Sequence, residues 1–199
     1  GDVYKRQEAT SGDFFDFIRR DDGTVAVVIG DVSGHGIGPA MLMAVTRSYL
    51  RALMEIDSDL KTVMRQLNQH LCRDTSARFF VTLFVAVLDP VNSLVEYSAA
   101  GHVGWHVDAN GSATRIDSTG IPLGIMEDAV ISIGPPILLR PNELLLLTTD
   151  GVMESFSPSG EMFGVERMLS LVNENRDLPA DGIVATLHKA IQDFVGSQT

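Results

Sequence analysis

Asp31-Val32-Ser33-Gly34-His35-Gly36 follows the apolar run Val25–Ile29. A strand rich in β-branched residues that ends in an acidic turn of small residues is a place to hold a cation. The strand delivers the carboxylate at a fixed point, and the glycines let the backbone fold closely around an ion. Two other stretches share this character. Ser11-Gly12-Asp13 precedes a run that reads as a strand, and Thr148-Thr149-Asp150-Gly151 follows the run Leu144–Leu147. Taken singly, each aspartate also reads as a turn or cap residue. Taken together, Asp13, Asp31 and Asp150 are three glycine-flanked carboxylates at strand ends. That pattern points to one hard-oxygen site suited to Mg²⁺ or Mn²⁺.

The chain of 199 residues is long enough for one domain with a substantial core. Its formal net charge of -11 argues against a nucleic-acid partner, which needs a basic surface to neutralise phosphates. A phosphorylated substrate would not be drawn by that net charge either, so bound cations would have to supply the positive field. The lone Cys72 cannot form an internal disulfide and sits in a helical pattern as a half-buried small apolar residue. No apolar stretch approaches the roughly 18 residues that span a membrane, and none reads as a signal peptide. A cytoplasmic location is the expectation. Residues 1–7, Gly-Asp-Val-Tyr-Lys-Arg-Gln, match no pattern in the rest of the chain and read as a foreign leader, leaving 8–199 as one domain.

Phe14–Arg19, the turn Asp21-Asp22-Gly23 and Thr24–Ile29 predict a β-hairpin. Pro39 is expected to open a helix with Leu42, Val45, Tyr49, Leu53 and Ile56 on one face and Met43, Leu50 and Met54 along its flank. Ser58 or Asp59 caps a second helix carrying Leu60, Val63, Met64, Leu67 and Leu71, and the two form a hairpin. Strands are expected over Phe79–Leu88, Leu94–Ala100, Trp105–Val107, Ala113–Ile116, Val130–Ile133 and Glu143–Thr148. Helices follow over Val165–Val172 and through Ile183, Val184, Leu187, Ile191, Phe194 and Val195. Antiparallel hairpins interspersed with helix pairs predict an α+β fold with helices covering sheets.

Ser33 does not read as a hydrolase nucleophile, because a nucleophile elbow needs glycine two residues to either side and those positions are Asp31 and His35. His35 is a candidate acid, ligand or turn residue. His102 reads as structural, at a tight turn. With no cysteine or second histidine at ligand spacing, the pattern does not favour zinc.

The ordered set of Gly12-Asp13-Phe14-Phe15-Asp16, Asp31 to Gly36, Phe80-Val81-Thr82-Leu83-Phe84, Ser98-Ala99-Ala100-Gly101-His102, Gly120-Ile121-Pro122-Leu123-Gly124 and Thr149-Asp150-Gly151-Val152 resembles the PPM superfamily. These are metal-dependent protein serine/threonine phosphatases, and the resemblance is to their bacterial SpoIIE/RsbU-like branch. It spans residue 11 to about 195. It implies a layered α-β-β-α sandwich of two stacked antiparallel sheets flanked by helix pairs. Asp31 then bridges two divalent ions, Mn²⁺ or Mg²⁺, with the Val32 carbonyl oxygen as an added ligand. Asp13 holds one ion and Asp150 the other. The role of Asp16 stays open.

By the same resemblance the reaction is hydrolysis of phosphoserine or phosphothreonine by a metal-bridging hydroxide, on a STAS-domain anti-anti-sigma-type regulator. The helix pair over 39–72 is expected to serve a dimer contact or an N-terminal sensory region, with Arg47, Arg51 and Glu55 exposed for it. The family's Asp-Asp-x-Thr strand and its first strands are expected to be missing, leaving the fold incomplete at both termini. Two alternatives remain: a non-catalytic phosphoprotein-binding module of the same fold, and a hydrolase of small phosphate esters.

Overall fold

The computed structural model describes residues 12–75 and 78–196. These fall into two compact units. One takes the chain through Gly104 together with Ile116–Leu139, and the other takes Trp105–Arg115 and Arg140 onward. The leader expected over residues 1–7 lies outside the described residues, as do residues 197–199. In chain order the elements are β1 (Phe14–Arg19), β2 (Val25–Val32), α1 (Ile37–Ile56), α2 (Leu60–Thr75), β3 (Val81–Asp89), β4 (Leu94–Ala100), β5 (Gly104–Val107) and β6 (Ala113–Ile116). They continue with β7 (Ile137–Leu138), β8 (Leu144–Leu147), α3 (Asp150–Met153), α4 (Val165–Glu174) and α5 (Ala180–Val195).

The first unit is built on an antiparallel sheet in the order β1-β2-β3-β4-β7. The expected hairpin is present. Gly23 turns at φ 85°, and Asp22 Oδ1 accepts from the Thr24 amide and hydroxyl. Along β1, Phe14, Asp16 and Ile18 are buried and Phe15, Phe17 and Arg19 are exposed, the period of two that one covered face produces. β2 runs past the apolar run to Val32, so Asp31 is a strand residue paired with Thr82 of β3, not the first residue of a turn.

α1 begins two residues before Pro39, with Gly36 as its N-cap at φ 97°. Pro39 then lies in the first turn, where no amide proton is needed. The buried stripe is Pro39, Leu42, Thr46, Leu50 and Met54. It is rotated from the expected one: Leu50 and Met54 are core, Tyr49 and Leu53 pack at its margin, and Ile56 is 84% exposed. From Leu42 onward, steps of four only carry the stripe to that side. Thr46 fits inside because its hydroxyl donates to the Leu42 carbonyl. Asp59, not Ser58, caps α2 by accepting from the Thr62 amide at 3.0 Å. Leu60, Val63, Met64, Leu67 and Leu71 are buried as their spacing predicts, in one cluster with Val28, Val85 and Leu83 of the sheet.

Val130–Ile133 does not form a strand. It lies against β4 through isolated bonds, Ser98 Oγ to the Ser132 carbonyl and the Gly134 amide to the Tyr97 carbonyl. Pro135 and Pro136 then remove the donors a ladder would need, and pairing resumes only at β7.

The second unit holds a sheet in the order β6-β5-β8 and the helices α3, α4 and α5. Arg176 Nη2 donates to the carbonyls of Asp108, Ala109 and Asn142, which joins the β5–β6 turn to the segment before β8. Arg167 lies over the rings of Phe163 and Phe194, bridging α4 and α5. Among the described residues, no helix is long and apolar enough to cross a membrane.

Candidate metal centre

Within the first unit, β1 and β2 bring Asp13 and Asp31 together. One carboxylate oxygen of each lies within 4.8 Å of the other. The approach is set by backbone. The Val32 amide donates to the Gly12 carbonyl at 3.3 Å, so Gly12 lies directly on the Asp31–Val32 peptide. A Cβ at Gly12 would run into the Val32 carbonyl oxygen and sit 2.9 Å from Asp31 Oδ1. Only glycine fits there. Two anionic oxygens held this close repel each other, and a hard divalent cation satisfies both. The donor set, two carboxylates with the Val32 carbonyl beside them, fits Mg²⁺ or Mn²⁺.

The turn after Asp31 needs its glycines. Gly34 and Gly36 have φ of 92° and 97°, in the region that side chains disfavour. The Phe79 ring packs under Gly34 and Gly38. Ser33 is engaged in structure: its Oγ accepts from the Phe80 amide at 2.9 Å, and its own amide donates to the Phe80 carbonyl. That agrees with the argument against a serine nucleophile. His35 is exposed on the turn.

Two residues that were not singled out as site residues stand behind Asp31. Thr82 faces it across the ladder, and Thr82 Oγ1 lies 3.3 Å from Nδ1 of His102. His102 is buried, with its ring edge-on to Phe84. The register supplies this pair, and register is invisible until strand partners are known.

Asp16, whose role the sequence leaves open, is now placed. It is 5% exposed and accepts from Arg47 Nε at 2.9 Å and from Arg51 Nε and Nη2 at 2.6 Å each. The Arg51 hydrogen bond is the main cause that holds its carboxyl well below the usual range, against the opposing effect of burial, and Arg47 adds to it. Arg47 and Arg51 are exposed, as expected, and in addition their guanidinium forks are engaged by Asp16. Asp150 belongs to the second unit. It follows β8, is exposed, and opens α3 behind Thr149 as N-cap. α3 is too short for its periodicity to be read. Cys72 is half-buried, and burial raises its thiol pKa.

The family model described as Stage II sporulation protein E (SpoIIE) matches residues 21–199. Protein IcfG of Synechocystis sp. is 30% identical over 87% of this chain and 32% of its own length. Phosphoserine phosphatase RsbP of Bacillus subtilis is 30% identical over 76% of this chain and 38% of its own length. The chain therefore spans about a third of these curated relatives. The solved structure of the SiaA-PP2C domain of Pseudomonas aeruginosa superposes with a TM-score of 0.83, at 16% identity, over 96% of this chain and 77% of that one. The fold is that of a PP2C domain, the α+β class with two sheets and helices that the motifs imply.

Proposed function

The chain belongs to the SpoIIE family, and from that premise we propose that it is a metal-dependent protein phosphatase acting on phosphoserine or phosphothreonine. The observation that carries this reading is the Asp13–Asp31 pair, two carboxylate oxygens within 4.8 Å at the ends of adjacent strands. Asp31 would be the carboxylate that serves both ions, with the Val32 carbonyl oxygen as an added ligand. Asp13 would hold one ion and Asp150 the other.

When bound, the divalent ions lower the pKa of coordinated water and neutralise charge on the phosphoryl oxygens. The protein's own residues orient the reaction. Asp31 would fix the ions' place at the end of β2, beside the glycine turn that follows it. No side chain is required as nucleophile, which suits a turn whose Ser33 hydroxyl is already bonded to the Phe80 amide. The leaving serine oxygen takes its proton from His35, exposed on the same turn, or from water.

The substrate in this reading is a phosphorylated regulator of the STAS-domain type, in the cytoplasm. Support comes from the branch resemblance and from the relative named phosphoserine phosphatase RsbP. The α1–α2 pair is the surface through which a regulatory region or a second copy would act. Phosphate release from a phosphoserine STAS-domain protein and from p-nitrophenyl phosphate, with and without Mn²⁺, tests the proposal. Release that is equal without metal, or absent with it, overturns it.

A further inference from the structure

We propose that Asp16, Arg47 and Arg51 form a positioning clamp for the metal turn, fixing α1 against β1 so that Ser33–Gly36 closes correctly over Asp31 and the Val32 carbonyl. This rests on the metal-site reading above. Each clamped element carries part of that site at one end. β1 starts one residue after Asp13, and α1 starts one residue after Gly36, the end of the turn that follows Asp31. The clamp joins the two elements farther along. Arg47 and Arg51 sit one helical turn apart and send their forks to the same carboxylate, whose Oδ1 also accepts from the Phe17 amide at 2.9 Å. α1 can neither slide nor rotate against β1 without breaking both forks.

A buried carboxylate is a poor choice if stability alone is at stake. Phe14 and Ile18 flank Asp16 on the same buried face, and an apolar residue there would bury at least as well. What the cluster supplies is fixed geometry, because a bidentate Arg–carboxylate pair tolerates little displacement. The leverage is large. Arg47 lies about 15 Å along α1 from its start, so a tilt of about 5° moves the first turn by about 1 Å. Gly34 and Gly36 would let the turn follow that movement, since neither has a side chain to resist it.

The test keeps the charge and removes the forks. Arg47→Lys/Arg51→Lys is titrated with Mn²⁺ by calorimetry, alongside thermal unfolding of the metal-free protein. Arg73→Lys is the control, the same chemical change at an exposed ion pair with Glu127. The double variant should bind Mn²⁺ about tenfold more weakly, as outer-shell changes at metal sites typically do, while the control binds like wild type. If the double variant is folded by circular dichroism and keeps wild-type Mn²⁺ affinity, the clamp is structural only and the proposal is overturned, whatever the change in Tm. If the double variant does not fold, the single Arg51→Lys is judged by the same criterion. Wild-type protein that takes up no Mn²⁺, or Asp31→Asn that binds it unchanged, overturns the metal-site reading itself and the clamp's role with it.

Discussion

Arg51 of α1 places Nε 2.6 Å from Oδ2 and Nη2 2.6 Å from Oδ1 of Asp16 on β1. The pair is asymmetric in environment: the carboxylate is almost fully covered, while the arginine side chain is 45% exposed. Removing the arginines leaves a buried, under-satisfied anion. Removing the carboxylate leaves two cations that can still reach water. The first change is the more damaging.

The sign of the pH dependence follows. The Asp16 carboxyl is held below its unfolded value, near 3.9 for a free Asp. Its contribution is therefore complete above about pH 4 and is lost as pH falls through the lower folded value. Asp16→Asn should lose about 1.5–3 kcal/mol at pH 7, the range for hydrogen bonds to charged groups. The gap to wild type should narrow below about pH 4. Unfolding midpoints across pH 2–8 measure it, and a gap that widens in acid contradicts the assignment.

Ser33→Ala should leave turnover within about tenfold of wild type, because the hydroxyl accepts one backbone bond worth roughly 1 kcal/mol and carries no chemistry. Steady-state kinetics at saturating Mn²⁺ decide it. Complete loss in a folded variant would revive a serine nucleophile.

The strands and helices that cover one face were legible because their periods are local. Leu60, Val63, Met64, Leu67 and Leu71 announce α2 without reference to anything else. Asp31 was legible as a ligand candidate because glycine punctuates it on both sides. What stayed hidden depends on partners distant in sequence. Asp16 looked like any strand aspartate until α1 delivered Arg47 and Arg51 across more than thirty residues. Thr82 became a neighbour of Asp31 only through the β2–β3 register, and His102 enters as a partner of Thr82. Val130–Ile133 has strand-like residues, yet two prolines after it deny the ladder its donors.

Asp31→Asn should remove more activity than Asp13→Asn or Asp150→Asn. In the proposed site Asp31 would serve both ions, so neutralising it would disturb both, whereas Asp13 and Asp150 would each serve one. A loss on the order of 10³-fold in kcat/KM corresponds to about 4 kcal/mol of transition-state stabilisation. Kinetics of the three variants over a Mn²⁺ series give the ranking. Near wild-type turnover of Asp31→Asn at high Mn²⁺ would show that the shared ligand lies elsewhere.

Gly12→Ala tests the site without touching a charge. The added Cβ would collide with the Val32 carbonyl oxygen and approach the Val32 amide and Asp31 Oδ1 at 2.9 Å. Both backbone contacts are rigid, so β1 must start farther from β2 and take Asp13 with it. The cost in stability should be about 1–3 kcal/mol, as for other overpacked sites, and Mn²⁺ affinity should fall by about tenfold or more. Gly23→Ala is the matched comparison. It meets nothing within 4 Å but sits at φ 85°, so it pays a backbone strain of about 1–2 kcal/mol far from the carboxylates. The two variants should thus lose comparable stability while only Gly12→Ala loses metal affinity. Calorimetry with Mn²⁺ beside thermal unfolding separates the effects. Equal Mn²⁺ affinity in both would mean that the Gly12–Val32 approach does not shape the site.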